Sequence, residues 1–134
     1  MPKLEDVEGI GKTYAAKLEK TGLRSQTALL KSGGDKKGRK EIAKNSGISE
    51  KLILEWVNRA DLNRIKGVGS EYADLLECTG VDTVKELAQR SAASLHTKME
   101  DVNAKKKLVR KLPTKDQVTD WVKQAKKLPR AVSY

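Results

Sequence analysis

The chain has 134 residues and carries 28 Lys and Arg against 18 Asp and Glu, a formal net charge of +10 that suggests a polyanionic partner. A composition of 37% hydrophobic and 34% charged residues, with three Pro and no Phe, favours an all-helical fold of one domain or of two small ones sharing a core. The chain has neither the ~20 consecutive apolar residues of a membrane helix nor an apolar signal core. Its single cysteine, Cys78, excludes an internal disulfide. We therefore expect a cytoplasmic protein with no membrane partner.

The first predicted element is a pair of short helices around a glycine turn, Gly9-Ile10-Gly11. Two glycines flanking one apolar residue indicate a tight turn with unusual backbone angles. Tyr14, Ala15 and Leu18 are spaced to share one face of the following helix, and Gly22 stands where a helix ends. The sequence therefore predicts helix, tight turn, helix.

Three further helices are predicted in the first half of the chain. Ser25 and Asp35 are N-cap candidates for the first two, and the second opens with a basic cluster that opposes the helix dipole. After Gly47, the spacing of Ile53, Trp56, Val57 and Ala60 is that of a buried helical stripe, in which Trp56 is a core anchor.

The glycine turn recurs as Gly67-Val68-Gly69, at an offset of 67 − 9 = 58 residues. The tryptophan helices recur as well, with Trp121 at an offset of 121 − 56 = 65, so the second copy is longer by 65 − 58 = 7 residues. The extra residues are expected around the basic stretch 105–111. The sequence thus predicts an all-α fold of two repeats, residues 1–61 and 62–128, each closed by a Trp-anchored helix, with a frayed tail at 129–134.

The two glycine turns resemble the helix-hairpin-helix, a module with which many DNA repair and replication proteins hold backbone phosphate without reading sequence. The whole chain, over roughly residues 4–128, is also similar to a family of short prokaryotic proteins of unassigned function with two such segments. That likeness is carried by Gly47–Ile53, Trp56-Val57, Asp61-Leu62, Ile65–Gly69, Gly80–Thr83, Leu108–Arg110, Pro113-Thr114 and Trp121. The resemblance implies helix-hairpin-helix repeats and, as an option, a monovalent cation held by the carbonyls of a hairpin turn.

The candidate phosphate contacts lie in two glycine turns and two basic clusters. A glycine turn that leads into a helix presents unpaired N–H groups at the positive end of the helix dipole, and the clusters add positive side chains. They are Gly9, Ile10, Gly11, Lys12 and Thr13; Lys66, Gly67, Val68, Gly69 and Ser70; Lys36, Lys37, Arg39 and Lys40; and Lys105, Lys106, Lys107 and Arg110. The alternative is that the glycines only allow a tight connection and that the lysines are solvated helix faces. Glu71 and Asp74 make the second turn the weaker candidate.

Two functions are compatible with these features. The first is a non-enzymatic, sequence-independent DNA-binding protein whose partner is double-stranded DNA. The second is a protein-interaction or scaffold domain that keeps the turns only as architecture. We expect no catalytic residues, no metal and no organic cofactor, because no catalytic set, metal cluster or dinucleotide fingerprint stands in the sequence and His96 has no evident partner.

Overall fold

The computed structural model describes residues 3–7 and 9–133, and in this part of the chain the regular structure is helical, without a strand. A 3₁₀ helix at Leu4–Asp6 precedes eight α-helices: α1 Lys12–Lys20, α2 Gln26–Gly33, α3 Lys36–Ser46, α4 Glu50–Leu62, α5 Ser70–Cys78, α6 Val84–Ala88, α7 Ala92–Lys106 and α8 Lys115–Lys127. The all-α prediction is confirmed over the described residues.

The chain divides into two compact units. Unit 1 consists of Met1–Asp61 together with Ala131–Tyr134, and unit 2 consists of Leu62–Arg130. Each unit has its own cluster of buried apolar side chains, so each encloses a separate core.

Several helices begin where a short polar side chain caps them. Ser25 accepts a hydrogen bond from the Ala28 N–H at 3.1 Å, and Asp35 accepts one from the Gly38 N–H at 2.7 Å. In α6 the capping residue is Thr83, whose hydroxyl accepts from the Glu86 N–H at 3.3 Å. These caps explain why α2, α3 and α6 begin where they do, and Ser25 and Asp35 are the two N-caps that the sequence predicts.

Each core contains one tryptophan paired with a tyrosine from the helix that follows the glycine turn. In unit 1, Trp56 is 1% exposed and its ring lies 4.9 Å from that of Tyr14, centroid to centroid. In unit 2, Trp121 is 1% exposed and lies 5.3 Å from Tyr72. Both pairs are tilted, a favourable geometry for aromatic contacts.

The C-terminal residues differ from the expected frayed tail. Val132 is 3% exposed in the core of unit 1, and the Ser133 N–H donates a 2.7 Å hydrogen bond to the Gly34 carbonyl. The tail stays ordered because a buried valine and a backbone hydrogen bond offset the entropy lost on fixing three residues. Tyr134, the last residue of that predicted tail, lies outside the described residues.

The basic stretch 105–111 is divided between two conformations. Lys105 and Lys106 form the last turn of α7, and the chain leaves the helix at Lys107. The next residues are held by the side chain of Asn103, which accepts from the Val109 N–H at 3.0 Å and donates to the Val109 carbonyl at 3.2 Å. One helical residue therefore fixes a loop that shows no periodic pattern in the sequence.

Candidate functional site

The first glycine turn, Gly9–Gly11, joins the 3₁₀ helix to α1. Gly9 has a φ of +94°, which L side chains rarely adopt, whereas Gly11 is extended with φ −86° and ψ −176°. Ile10 between them is buried in the core of unit 1, and its N–H donates to the Val7 carbonyl at 3.0 Å. The Ile10 amide, predicted as a phosphate contact, is therefore already used inside the turn.

The N-terminus of α1 presents a group of N–H donors that have no acceptor among residues 3–7 and 9–133. The first backbone bond of this helix runs from the Ala15 N–H to the Gly11 carbonyl at 2.9 Å. The N–H groups of Gly11, Lys12 and Thr13 have no acceptor among the described residues. Gly11 offers no side-chain cap, and the first turn of α1 contains no acidic residue. Exposed donors at a helix N-terminus form a site that suits an anion.

Lys12 and Thr13 add side-chain groups to this site. Both residues are exposed at the start of α1. An ammonium and a hydroxyl beside free backbone amides match the donors that commonly contact phosphate oxygens. The first turn thus combines a positive dipole end, three free amides and a cation, with no opposing carboxylate in the first helical turn.

The second glycine turn, Gly67–Gly69, repeats the backbone of the first. Gly67 has a φ of +95°, and Gly69 has φ −99° and ψ −172°. Val68 is buried and its N–H donates to the Ile65 carbonyl at 3.1 Å, so this predicted contact is also used inside its turn. The repeat seen in the sequence is therefore a repeat of backbone geometry.

Two features distinguish the second turn. Gln124 of α8 accepts a hydrogen bond from the Lys66 N–H at 2.8 Å and donates one to the Lys66 carbonyl at 3.1 Å. Glu71 lies in the first turn of α5, where a carboxylate already complements the helix dipole. Gly69 and Ser70 still present N–H groups that have no acceptor among the described residues. The second turn is thus held by Gln124, and the helix that follows it has a carboxylate in its first turn, whereas α1 has none.

The predicted basic cluster of unit 1 separates into exposed lysines and one buried arginine. Lys36, Lys37 and Lys40 are exposed on α3, but Arg39 is only 4% exposed. Its guanidinium donates to the carbonyls of Gly33 at 2.9 Å, Gly34 at 3.0 Å and Ser133 at 2.7 Å. Arg39 therefore departs from its predicted role as a surface phosphate contact, because its planar fork is used to hold backbone carbonyls inside unit 1.

A cavity of about 440 Å³ opens beside the start of α3. It is lined by Lys36 and Arg39 of α3 and by Glu50, Lys51 and Leu54 of α4. Lys51, which the sequence does not single out, thus lies near the predicted Lys36. Glu50 in the same wall offsets part of that positive charge.

The predicted cluster of unit 2 is fully exposed. Lys105 and Lys106 end α7, Lys107 follows with a φ of +50°, and Arg110 lies in the loop that Asn103 holds. Lys107 is the one non-glycine residue of the described chain with a positive φ. This cluster is therefore a run of exposed cations at the end of α7 and in the loop that follows it.

His96 differs from the isolated surface residue that the sequence suggests. Its Nε2 lies 2.9 Å from the Pro113 carbonyl oxygen, and its Nδ1 lies 3.1 Å from Oε1 of Glu100. The i, i+4 spacing of His96 and Glu100 on one helix was the available signal for this pair. In the described part of the chain, no group of three or more His, Cys, Asp and Glu side chains is arranged to hold a metal ion.

A family model for a domain of unknown function, DUF4332, matches residues 8–128, so the chain belongs to the DUF4332 family. Neither the curated proteins nor the solved structures gave a significant match.

None of the helices in the described residues is both long enough and apolar enough to cross a bilayer.

Proposed function

We propose that this protein binds DNA independently of sequence and without catalysis, and that the first glycine turn is its main phosphate contact. In this proposal each glycine turn is the hairpin of a helix-hairpin-helix repeat, as the resemblance implies, and the protein acts in the cytoplasm. The observation that carries the proposal is the set of free amides at the start of α1, beside exposed Lys12 and Thr13 and away from any first-turn acid.

Exposed cations on each unit supply further proposed phosphate contacts. Lys36, Lys37 and Lys40 in unit 1 and Lys105, Lys106, Lys107 and Arg110 in unit 2 are all exposed cations. Lysine is a point charge that contacts phosphate well but does not read bases with a fixed fork. If six of these residues contact phosphates, the logarithm of the affinity falls with a slope of about −5 against the logarithm of the salt concentration.

The test is a fluorescence titration of a random-sequence DNA duplex at several salt concentrations. We expect binding at low salt that weakens steeply as salt is raised. Lys12→Glu should weaken binding for all sequences alike and reduce the salt slope by about 1 or more. The control is Ser70→Glu, at the equivalent position 12 + 58 = 70 of the second turn; it changes the charge by one unit, whereas Lys12→Glu changes it by two. This control should bind nearly as the wild type does, since the first turn of α5 already contains the carboxylate of Glu71.

A folded protein that does not bind at low salt, or that binds without salt dependence, would contradict the proposal. Equal effects of Lys12→Glu and Ser70→Glu would instead show that the first turn has no special role. The monovalent cation that the resemblance implies stays a prediction, which a titration with and without K⁺ at constant ionic strength checks.

A protein-interaction role is the second candidate, and the clamped second turn favours it. Gln124 holds both backbone groups of Lys66, and Glu71 faces outward at the start of α5. A turn held at its backbone and followed by an exposed carboxylate suits a protein surface better than phosphate. Recovery of one defined protein that survives nuclease treatment and is lost with Glu71→Lys would support this function over DNA binding.

A further inference from the structure

The C-terminal residues 131–133 lie in a groove of unit 1 at the corner between α2 and α3. Val132 reaches the core of the unit, and the Ser133 N–H donates to the Gly34 carbonyl at 2.7 Å. The three residues belong to no helix and no strand. The groove thus holds a short segment by one apolar side chain and by its backbone.

Arg39 forms the polar end of the groove. Its Nη2 donates to the Ser133 carbonyl at 2.7 Å, while its Nη1 donates to the carbonyls of Gly33 and Gly34. A guanidinium buried to this extent is stable only when its N–H groups are bonded. The tail carbonyl therefore satisfies a donor that a vacated groove would leave without its protein acceptor.

Gly34 forms the wall of the groove, because a Cβ at this position would collide with the carbonyl oxygen of Ala131. Gly33 instead faces the core, where a Cβ would come within 2.7 Å of Cγ2 of Val57. The bare backbone at Gly34 lets the tail approach closely enough to form its hydrogen bond. These contacts are made to the backbone of Ala131 and Ser133, so they do not depend on the side chains of those two residues.

We propose that Gly34 and Arg39 form a binding groove for a short peptide segment, which holds residues 131–133 of its own chain and also accepts the same residues of a second copy. The second copy is the occupant because its tail offers the identical valine, amide and carbonyl to the identical groove. Release of three residues is a small local opening rather than global unfolding. The chain's own tail is favoured at low concentration because it is tethered, so exchange grows as the protein is concentrated.

The test uses the full chain carrying Val132→Asp, which places a charge where the core accepts valine and so empties the groove. The probe is a labelled, C-terminally amidated peptide with the sequence of residues 129–133, Pro-Arg-Ala-Val-Ser. We expect this variant to bind the peptide about tenfold or more tightly than the wild type does, because the wild-type groove is already filled. Concentrated wild-type protein should show a concentration-dependent dimer in sedimentation, which Val132→Asp should lack.

Two controls make the result specific. A peptide with Asp in place of Val should not bind, and Gly34→Val added to Val132→Asp should abolish binding by closing the groove. If Val132→Asp does not fold, Ser133→Pro serves instead, since it removes the amide donor to Gly34 and places a ring where that hydrogen bond ran, while it leaves Val132 unchanged. The proposal would be overturned if a folded variant with a released tail did not bind the peptide. It would also be overturned if adding Gly34→Val left the affinity for the peptide unchanged.

Discussion

Gly9 lies directly against Trp56: a Cβ at Gly9 would come within 3.3 Å of the indole Nε1. The same relationship holds between Gly67 and Trp121, where the distance is 3.0 Å. In each unit the turn glycine thus faces the tryptophan of a distant helix, and the same tryptophan packs on the tyrosine that follows the turn. The two glycines are consequently under two constraints, a positive φ and a close neighbour.

These constraints predict a ranked series of glycine substitutions. Gly22→Ala introduces a side chain at φ +94° where nothing lies within 4 Å, so it measures the backbone cost alone, about 1–3 kcal/mol. Gly9→Ala and Gly67→Ala add the contact with tryptophan, so both should be more destabilising than Gly22→Ala, and Gly67→Ala the most. Urea unfolding followed by circular dichroism gives the order, and equal losses at all three positions would refute the tryptophan contact.

Gly11→Ala should separate folding from binding. Gly11 has an ordinary φ, and a Cβ at this position would meet no other atom within 4 Å. Alanine should therefore lower the free energy of unfolding by only about 1 kcal/mol or less. That methyl group would nevertheless stand beside the free amides of Lys12 and Thr13, where we propose that phosphate binds. The DNA affinity of Gly11→Ala should fall while its unfolding curve barely moves.

The control for this experiment is Gly69→Ala, which has the same backbone and the same open space in the second turn. Its DNA affinity should stay close to that of the wild type. If both substitutions weaken binding equally, the two turns contribute alike and the acidic Glu71 does not matter.

Placing the Lys-Thr pair of the first turn at the equivalent positions of the second turn should give the second turn phosphate binding. Ser70→Lys with Glu71→Thr gives the second turn the Lys-Thr pair that follows the first. Because its free amides are already in place, the double variant should bind DNA more tightly and increase the salt slope by about 1. An unchanged affinity in a folded variant would mean that the Gln124 clamp or the surrounding surface excludes phosphate from this turn.

Much of the fold could be predicted from the sequence because its signals are local. The spacing of the glycines predicts the turns at Gly9 and Gly67. The periodicity of the apolar residues around Trp56 and Trp121 predicts two buried helices. Ser25 and Asp35 stand at helix starts for a reason that acts over three residues. Duplication strengthened each of these signals, since a second copy repeated the glycine turn and the tryptophan helix.

The features that escaped prediction all depend on contacts between distant residues. Arg39 reads as one more cation in a basic run, and its burial follows only from carbonyls at Gly33, Gly34 and Ser133 that folding brings to it. Gln124 likewise occupies an ordinary helical position, 58 residues from the Lys66 backbone that it holds. No periodicity or motif predicts a side chain that bonds to a remote backbone group. The roles of Arg39 and Gln124 are therefore visible only in the three-dimensional structure.

Lys107 provides a test in which stability and affinity should change in opposite directions. Its φ of +50° is left-handed, a conformation that glycine adopts more easily, at the C-terminal end of α7. Lys107→Gly should therefore stabilise unit 2 by about 1 kcal/mol. It also removes one cation from the exposed cluster, so DNA binding should weaken and the salt slope should fall by about 0.9.

The control is Lys106→Gly, which removes one cation from the neighbouring helical position. Here glycine replaces a good helix former, so this variant should be destabilised by up to about 1 kcal/mol. Thermal unfolding and DNA titration on both variants decide the question. If the two variants lose affinity equally, the lysine charges contact the DNA. If their stabilities also shift in opposite directions, the left-handed backbone at Lys107 lowers the free energy of unfolding independently of binding. A loss of affinity in Lys107→Gly alone would instead tie binding to the conformation at that residue.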